Sequence, residues 1–534
     1  YEILIGLVGS EMCIRDREYI IEKVTFEKHE APVLCDPSCG CGSFLITAAE
    51  IFHTKYKKSY HDLFSKYLYG IDIDRYAIDR AEILIDLLLS MNNEKPLNSY
   101  HLLCADMLDP RTSAIVLEEK PNGFDCIVGN PPYVRARNIS DKTKAFISDW
   151  DCGKSGNLDL YMPFYEIGLK LLNSHGRLTY ISPNTYLQAV NGRGLRNYFK
   201  SHDIALEIVD FRDSQVFNSV TSYTCITSAY QKSDGVIRYS RLKDSKKLGN
   251  QNFTSYRMEK FADDQPWRLC DAVHDDLIYK IEHAGTSLGS WKIRNGLATL
   301  KNDLYFFVPV REDDLYYYRM AGDAEYPIEK AVCIDMVKPN TIKTEKELAE
   351  NREKAIFPYY QDENGFQIIP EEQFRKSYPC TYHYLLLYKD ELMQRDKGKG
   401  NYPEWYAYGR TQGMNNYGKK LLIPYISGAP AAVISLKEDL LFYCGYALFC
   451  DDIETLEVLK IFLESDVFWY YIRHTSKPYA KGFMALAKNY ITRFSIPDLT
   501  TAEKQDLCSE TDLKARNVMI WEKYGIDKAH IPTD

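Results

Sequence analysis

The chain has no apolar run long enough to cross a bilayer, no internal repeat and no low-complexity tract. That sets aside a transmembrane helix and a repeat array, and it favours a soluble protein. Its 14 cysteines are scattered without the spacing of a disulfide framework, which places it in a reducing cytoplasm. It also has no excess of basic charge: 66 Lys and Arg stand against 75 Asp and Glu, a net charge of −9. Any anionic partner must therefore be met by the distribution of charge, not its total. What is present is 45% hydrophobic residues over 534 positions, enough for roughly two to four domains with ample cores.

The most informative residues are Asn130, Pro131, Pro132 and Tyr133. They follow Phe124 to Gly129, an apolar run that reads as a buried parallel strand ending in a turn. A carboxamide oxygen and a prolyl carbonyl can accept both N–H bonds of a flat amine such as adenine N6. That draws the delocalised nitrogen lone pair toward a pyramidal, nucleophilic state without a titrating base. The prolines stiffen the turn and remove competing N–H donors. Tyr133 offers a ring for stacking, which also favours a developing positive charge.

Upstream, Pro32 to Phe44 reads as strand, glycine turn and helix. Glycines there allow close backbone approach to a ligand, although the third glycine of the dinucleotide fingerprint is missing. A second strand ends at Asp72-Ile73, where a carboxylate suits ribose hydroxyls. A third, about His101 to Cys104, ends at Asp106-Met107, where an acid can accept from an adenine amino group. In this order the segments predict one crevice along the carboxyl edge of a parallel sheet.

These motifs resemble those of the gamma-class N6-adenine DNA methyltransferases of restriction–modification systems, type II, with a TaqI-like C-terminal recognition domain. Asp36, Pro37, Gly40, Gly42 and Phe44 are similar to that family's cofactor loop, Asp72 and Ile73 to its ribose site, and Asp106 and Met107 to its adenosine-amine site. Asn130 to Tyr133 resembles the catalytic tetrad in its adenine form. Gly156 to Tyr161 and Gly176 to Pro183 resemble the next two motifs, and Val216-Phe217-Asn218 the segment whose aromatic clamps an extruded base opposite Tyr133. Ile293 to Thr299, Cys333 to Lys338, Trp405 to Gln412 and Lys481 to Pro497 resemble segments of the recognition region.

The resemblance implies an α/β fold: a Rossmann-like S-adenosylmethionine-dependent methyltransferase domain followed by a mixed α+β target-recognition domain. It implies S-adenosyl-L-methionine as cofactor, duplex DNA as substrate, a cognate restriction endonuclease as a partner, and no metal. Residues 18–233 form the expected catalytic domain, 234–289 a linker and the start of the recognition region, 290–499 the recognition domain, and 500–534 a polar helical tail. Leu456 to Tyr471 reads as one helix, and Leu242 to Ser255 as loop or linker. Gly6 to Arg17 resembles a translated sequencing adapter, so residues 1–17 are expected to be an artefact. Glu18 to Thr25 resembles the tail of a cofactor-binding motif whose leading half is missing, and with no initiator Met this points to a fragment.

Charge distribution supplies what the total lacks. Between Val467 and Pro497 the chain carries Arg473, Lys477, Lys481, Lys488 and Arg493 with no acid, interleaved with aromatics. Such a mixture suits phosphate contact beside a surface that can meet bases, and Arg135, Arg410, Lys477, Lys481 and Lys488 are the DNA-binding candidates. Cys35, Cys39 and Cys41 interleave with the glycines of the cofactor loop and lack a fourth ligand, so no metal site is expected. Asp109, Glu118 and Lys120 superficially match a metal-dependent nuclease pattern, but lie between two methyltransferase motifs and read as a surface loop. Two alternatives stay open: a protein-glutamine methyltransferase, which uses the same tetrad on a planar amide, and an inactive DNA-recognition fragment.

Overall fold

The computed structural model describes residues 14–24, 30–154, 158–211, 224–230, 235–242, 248–263, 265–270, 272–398, 400–479, 482–528 and 531. The chain divides into two compact units, Tyr1–Asp275 and Asp276–Asp534.

The first unit is a nine-stranded mixed sheet with helices. In chain order its main elements are α1 (Ile14–Val24), β1 (Leu34–Asp36), α2 (Ser43–Tyr56), α3 (Tyr60–Lys66), β2 (Leu68–Asp72), α4 (Arg75–Met91), β3 (Leu102–Cys104), α5 (Pro110–Glu119) and β4 (Phe124–Gly129). There follow α6 (Asp141–Ser148), α7 (Met162–Leu171), β5 (Leu172–Pro183), α8 (Arg193–Ser201), β6 (Ala205–Asp210), β7 (Thr224–Tyr230), β8 (Val236–Arg241) and β9 (Thr254–Arg257). Strand order is β3-β2-β1-β4-β5-β7-β6-β8-β9. Strands β1 to β5 pair in parallel, whereas β7 runs antiparallel to both neighbours. The order reverses between β1 and β4, and such switch points open a crevice at the carboxyl ends of the strands.

Local chemistry sets these boundaries. Asp74 caps α4 by accepting from the Tyr76 N–H, and the buried Ile78, Ala81, Ile85 and Leu88 recur at helical spacing along one face. Gly42 begins α2 at φ +81°, a left-handed value that glycine adopts without a Cβ clash. In β4 a bulge between Phe124 and Cys126 breaks the alternation of faces. Phe124 and Ile127 consequently join one apolar cluster while Cys126 and Val128 join the other.

The second unit is mixed α+β. One four-stranded antiparallel sheet orders Lys292–Asn295, Gly445–Phe449, Lys420–Pro424 and Val433–Ser435. Another orders Phe306–Phe307, Lys354–Ile356, Cys333–Val337 and Leu441–Phe442. The core around the latter is aromatic, with Tyr305, Phe374, Tyr384 and Tyr406 fully buried. Arg395 is buried among them, its guanidinium donating to the carbonyls of Leu392, Trp405 and Ala407 at 2.6–2.8 Å. Those bonds hold the chain at 405–407 in place.

Several expectations need correction. The first sheet continues past Ser233 through β8 and β9, so the stretch read as linker contributes its last strand. Leu456 to Tyr471 is two helices, Ile453–Leu463 and Asp466–Thr475, because the Ser465 hydroxyl accepts from the Phe468 N–H and starts a new helix. The tail after Thr500 is helical as expected, at Thr501–Ser509 and Leu513–Lys523, and it also packs into the unit. Leu507, Ile520 and Trp521 are buried, and the Tyr524 hydroxyl donates to the Ser495 carbonyl at 2.7 Å. The surface stretch of Asp109, Glu118 and Lys120 is not a loop but helix α5, which Asp109 caps while pairing with Arg111. Residues Ile14 to Arg17 form the first turn of α1 with Asp16 and Arg17 buried, while Gly6 to Cys13 lie outside the described residues.

Candidate active site

The crevice at the switch point contains a cavity of about 350 Å³. Four consecutive strand ends line it: Pro37 and Ser38 after β1, Asp72 and Ile73 after β2, Ala105, Asp106 and Met107 after β3, and Asn130 and Pro132 after β4. Segments from a 96-residue stretch, Pro37 to Pro132, thus meet because each parallel strand delivers its carboxyl end to the same edge.

The backbone of the glycine loop is held by a carboxylate. Asp72 accepts from the Gly40 N–H at 2.8 Å and from the Asp74 N–H at 2.9 Å. Gly40 sits at φ +53°, and a Cβ on Gly42 would come within 3.3 Å of the Ala81 side chain. Asp36 lies under the loop, fully buried, and accepts from the Ser38 N–H at 3.0 Å. Burial pushes its carboxyl up to about 8, and the charge of Asp72 acts in the same direction, against the lowering by the Ser38 N–H. A Cβ on Gly129 would stand 2.6 Å from Asp36 Oδ1, so the end of β4 closes onto β1 only because position 129 has no side chain. Asp106 accepts from the Leu108 N–H at 3.0 Å, which orients its carboxylate at the β3 end.

Asn130 is the unusual member. Its carboxamide oxygen is buried and has no hydrogen-bond partner among the described residues. A desolvated acceptor of this kind costs about 1–3 kcal/mol unless something donates to it. Ser38, whose N–H and side chain both lie against the Asp36 carboxyl, lines the same cavity. The next segment buttresses the tetrad: the Leu160 N–H donates to the Val134 carbonyl and the Ala136 N–H to Asp159 Oδ1, both at 2.9 Å. Tyr133 meets Tyr161 edge-on at 6.4 Å and donates its hydroxyl to the Ile181 carbonyl at 3.3 Å.

Not every expected residue lines the cavity. Phe44 is buried in the apolar cluster beneath the loop, so it packs α2 against the sheet and does not face the cavity. Pro131 is buried and Tyr133 half-buried beside the cavity rather than in its wall. Phe217, assigned to the base clamp, and Lys481 lie outside the described residues. Arg135 is exposed just after the tetrad. Arg410 is exposed and pairs with Asp396 at 2.9 Å, Lys477 lies over the Tyr479 ring, and Lys488 donates to the Ile293 carbonyl at 3.2 Å.

The cavity wall also holds residues not expected from sequence: Ser38, Ala105, Leu108, Thr143, Leu160 and Phe164. Phe164 lies in the first turn of α7 and Leu160 four residues earlier, in the turn before the helix. Thr143, in the first turn of α6, carries no sequence signal.

A cavity with two carboxylates at adjacent strand ends, apolar walls from Ile73, Met107, Pro132 and Phe164, and a buried carboxamide oxygen with no partner among the described residues fits a nucleoside-bearing cofactor beside an amine donor. The class this defines is a doubly wound α/β unit with a nucleoside-type crevice, followed by a mixed α+β unit. The comparisons with known proteins narrow it. Residues 66–217 match the Eco57I restriction-modification methylase family. The chain is 26% identical over 325 residues to the type II restriction enzyme and methyltransferase RM.Eco57I of Escherichia coli, across 57% of this chain and 32% of that protein. It is 25% identical over 447 residues to the type II methyltransferase M.BstVI of Geobacillus stearothermophilus, across 76% of this chain and 74% of that one. The chain therefore spans about a third of the length of the first relative and about three quarters of the second. Among solved structures, the type IIL restriction-modification enzyme MmeI in complex with DNA matches with a TM-score of 0.61 at 12% identity, over 99% of this chain and 76% of that one, a likeness of fold. Type II restriction–modification methyltransferases are thus homologues of this chain. No helix among the described residues is long and apolar enough to cross a membrane.

Proposed function

We infer that this chain is a site-specific DNA methyltransferase of a restriction–modification system, transferring a methyl group from S-adenosylmethionine to adenine N6 in duplex DNA. The observation that carries the reading is the buried, partnerless carboxamide oxygen of Asn130 in the same cavity wall as Asp72 and Asp106. A buried acceptor with no partner among the described residues is preorganised for an N–H donor.

When bound, S-adenosylmethionine supplies an electrophilic methyl group. The residues to hold it are Pro37, with Asp72 toward ribose hydroxyls, Asp106 toward the adenine amine, and Ile73 and Met107 flanking the ring; Asp36, Gly40 and Gly42 are not in the cavity wall and act by shaping the loop behind it. Asn130 and the Pro131 carbonyl accept the two N6 hydrogens of the target adenine and localise its lone pair. Tyr133 stacks on a base extruded from the duplex, with Phe217 as the opposing face. No side chain is asked to be a strong base, because the N6 proton becomes acidic once the methyl is transferred and leaves to solvent. The second unit reads the DNA sequence, with Arg410, Lys477, Lys481 and Lys488 as its candidate contacts, and Arg135 of the first unit meets the backbone near the extruded base.

The test is methylation of DNA by the purified chain with labelled S-adenosylmethionine, followed by identification of the modified base. N6-methyladenine confined to one short motif supports the reading. Modification of a translation-factor glutamine instead, or DNA binding without cofactor binding, replaces it with one of the two alternatives.

A further inference from the structure

Two stretches of the second unit, far apart in sequence, are locked together on one edge of its first four-stranded sheet. One is the strand Lys292–Asn295 and the turn after it; the other is the loop from Gly409 to Gly418. Gly413 lies at φ +81°, where a Cβ would stand 2.8 Å from the Leu297 nitrogen, so the loop reaches the turn only through a residue without a side chain. Met414 is buried, and Asn416, also buried, donates Nδ2–H to the Asn295 carbonyl at 2.7 Å. The Gly409 N–H donates to the Thr299 carbonyl at 2.9 Å.

Those inward residues fix the loop, and what it turns outward is of one chemical kind. Gln412 and Asn415 are exposed, and Arg294 projects from the strand beside them. Arg294 Nη1 donates to both the main-chain and side-chain oxygens of Asn415 at 3.2 Å, while its other N–H groups have no hydrogen-bond partner among the described residues. The guanidinium, half-buried, also lies 5.9 Å from the centroid of the Phe449 ring, so these contacts orient it and leave N–H groups for a further acceptor. Gln412 makes one long contact, 3.5 Å from Nε2 to the Gly296 carbonyl.

A planar guanidinium and two carboxamides on a rigid scaffold are the side chains that match base edges in a major groove. Arg pairs bidentately with guanine, and Asn or Gln with adenine. Arg294 also clasps the strand to the loop through Asn415, which fixes the positions from which its remaining N–H groups and the Gln412 carboxamide face outward. We propose that Arg294, Gln412 and Asn415 form a base-reading element that sets part of the recognised DNA sequence. The proposal rests on the DNA methyltransferase reading above.

The experiment expresses the full chain, and separately its Arg294→Lys, Gln412→Ala and Asn415→Ala variants, in a host free of other DNA methylation. The modified motif is then determined and the methylation rate measured on cognate and single-base-altered duplexes. Each variant is expected to lose roughly 10- to 100-fold in rate on the cognate sequence and to become degenerate at one position of the motif. Melting temperature and S-adenosylmethionine binding stay as in the wild type. Arg294→Lys keeps the charge and removes the fork, so it separates base reading from phosphate contact. Variants that keep the motif and the rate overturn the proposal, as does an equal loss on every duplex with the motif unchanged. A wild-type chain that methylates no DNA overturns the underlying reading and the proposal with it, whereas a methylating wild type with indifferent variants overturns the proposal alone.

Discussion

Replacing Asn130 with Ala should separate stability from activity in a way that distinguishes a site residue from a structural one. The Asn130 carboxamide oxygen is buried without a donor among the described residues. Its desolvation costs the folded state about 1–3 kcal/mol, a cost the unfolded chain avoids by exposing the group to water. Truncation to Ala removes that cost and forfeits about 1 kcal/mol of packing. The variant should therefore be between equal in stability and about 2 kcal/mol more stable than the wild type. At about 2–4 °C per kcal/mol for a unit of this size, its Tm should be unchanged to several degrees higher. Methyl transfer should behave in the opposite way. Losing one preorganised hydrogen-bonding group at a reacting centre costs about a hundredfold or more in rate. Scanning calorimetry without ligand, with labelled methyl transfer to duplex DNA, measures both quantities on one preparation. A variant destabilised by about 1 kcal/mol or more would mean that Asn130 braces the turn. A transfer rate within tenfold of wild type would refute its role at the reacting amine.

Three further outcomes follow from the same geometry. The buried Asp36 keeps its proton to about 8 in the folded chain, whereas the unfolded carboxyl loses it near 3.8; stability should fall as pH rises through that window. Asp36→Asn cannot ionise, so its Tm should exceed that of the wild type at pH 8 and converge with it toward pH 4, as thermal melts across pH would reveal. In Asp72→Asn an amide must replace one of the two carboxylate oxygens that hold the Gly40 and Asp74 N–H groups. Titration calorimetry should then find S-adenosylmethionine binding roughly 10- to 100-fold weaker, since a charge-assisted bond is worth about 1.5–3 kcal/mol; unchanged affinity would remove Asp72 from the site. Gly129→Ala puts a Cβ 2.6 Å from Asp36 Oδ1, and overpacking of this kind costs about 1–3 kcal/mol, so a Tm equal to that of the wild type would contradict the close approach of β1 and β4.

Much of the first unit is legible from sequence because its determinants are local. Each strand end, glycine turn and helix start is written within about ten residues, and the parallel topology brings successive strand ends to one edge. Asp72, Asp106 and Asn130 could be nominated before any of them was known to share a cavity. Boundaries were less legible where one side chain overrides periodicity. The Ser465 hydroxyl splits what reads as a single helix, and β8 and β9 extend a sheet whose edge the sequence does not mark. Phe44 matches a cofactor motif, yet an aromatic inside a buried helix turn serves the core.

By itself the sequence determined the order of the motifs, the chemistry available at each and the class of reaction they point to, since those depend on residue type and short spacing. Only the tertiary structure decided which groups are denied a partner and which are held in place. The isolation of the Asn130 oxygen, the entry of Thr143 into the cavity wall and the clasp between Arg294 and Asn415, 121 residues apart, are of this kind. Burial and hydrogen-bond satisfaction belong to the packed ensemble of neighbours, and no spacing along the chain encodes them.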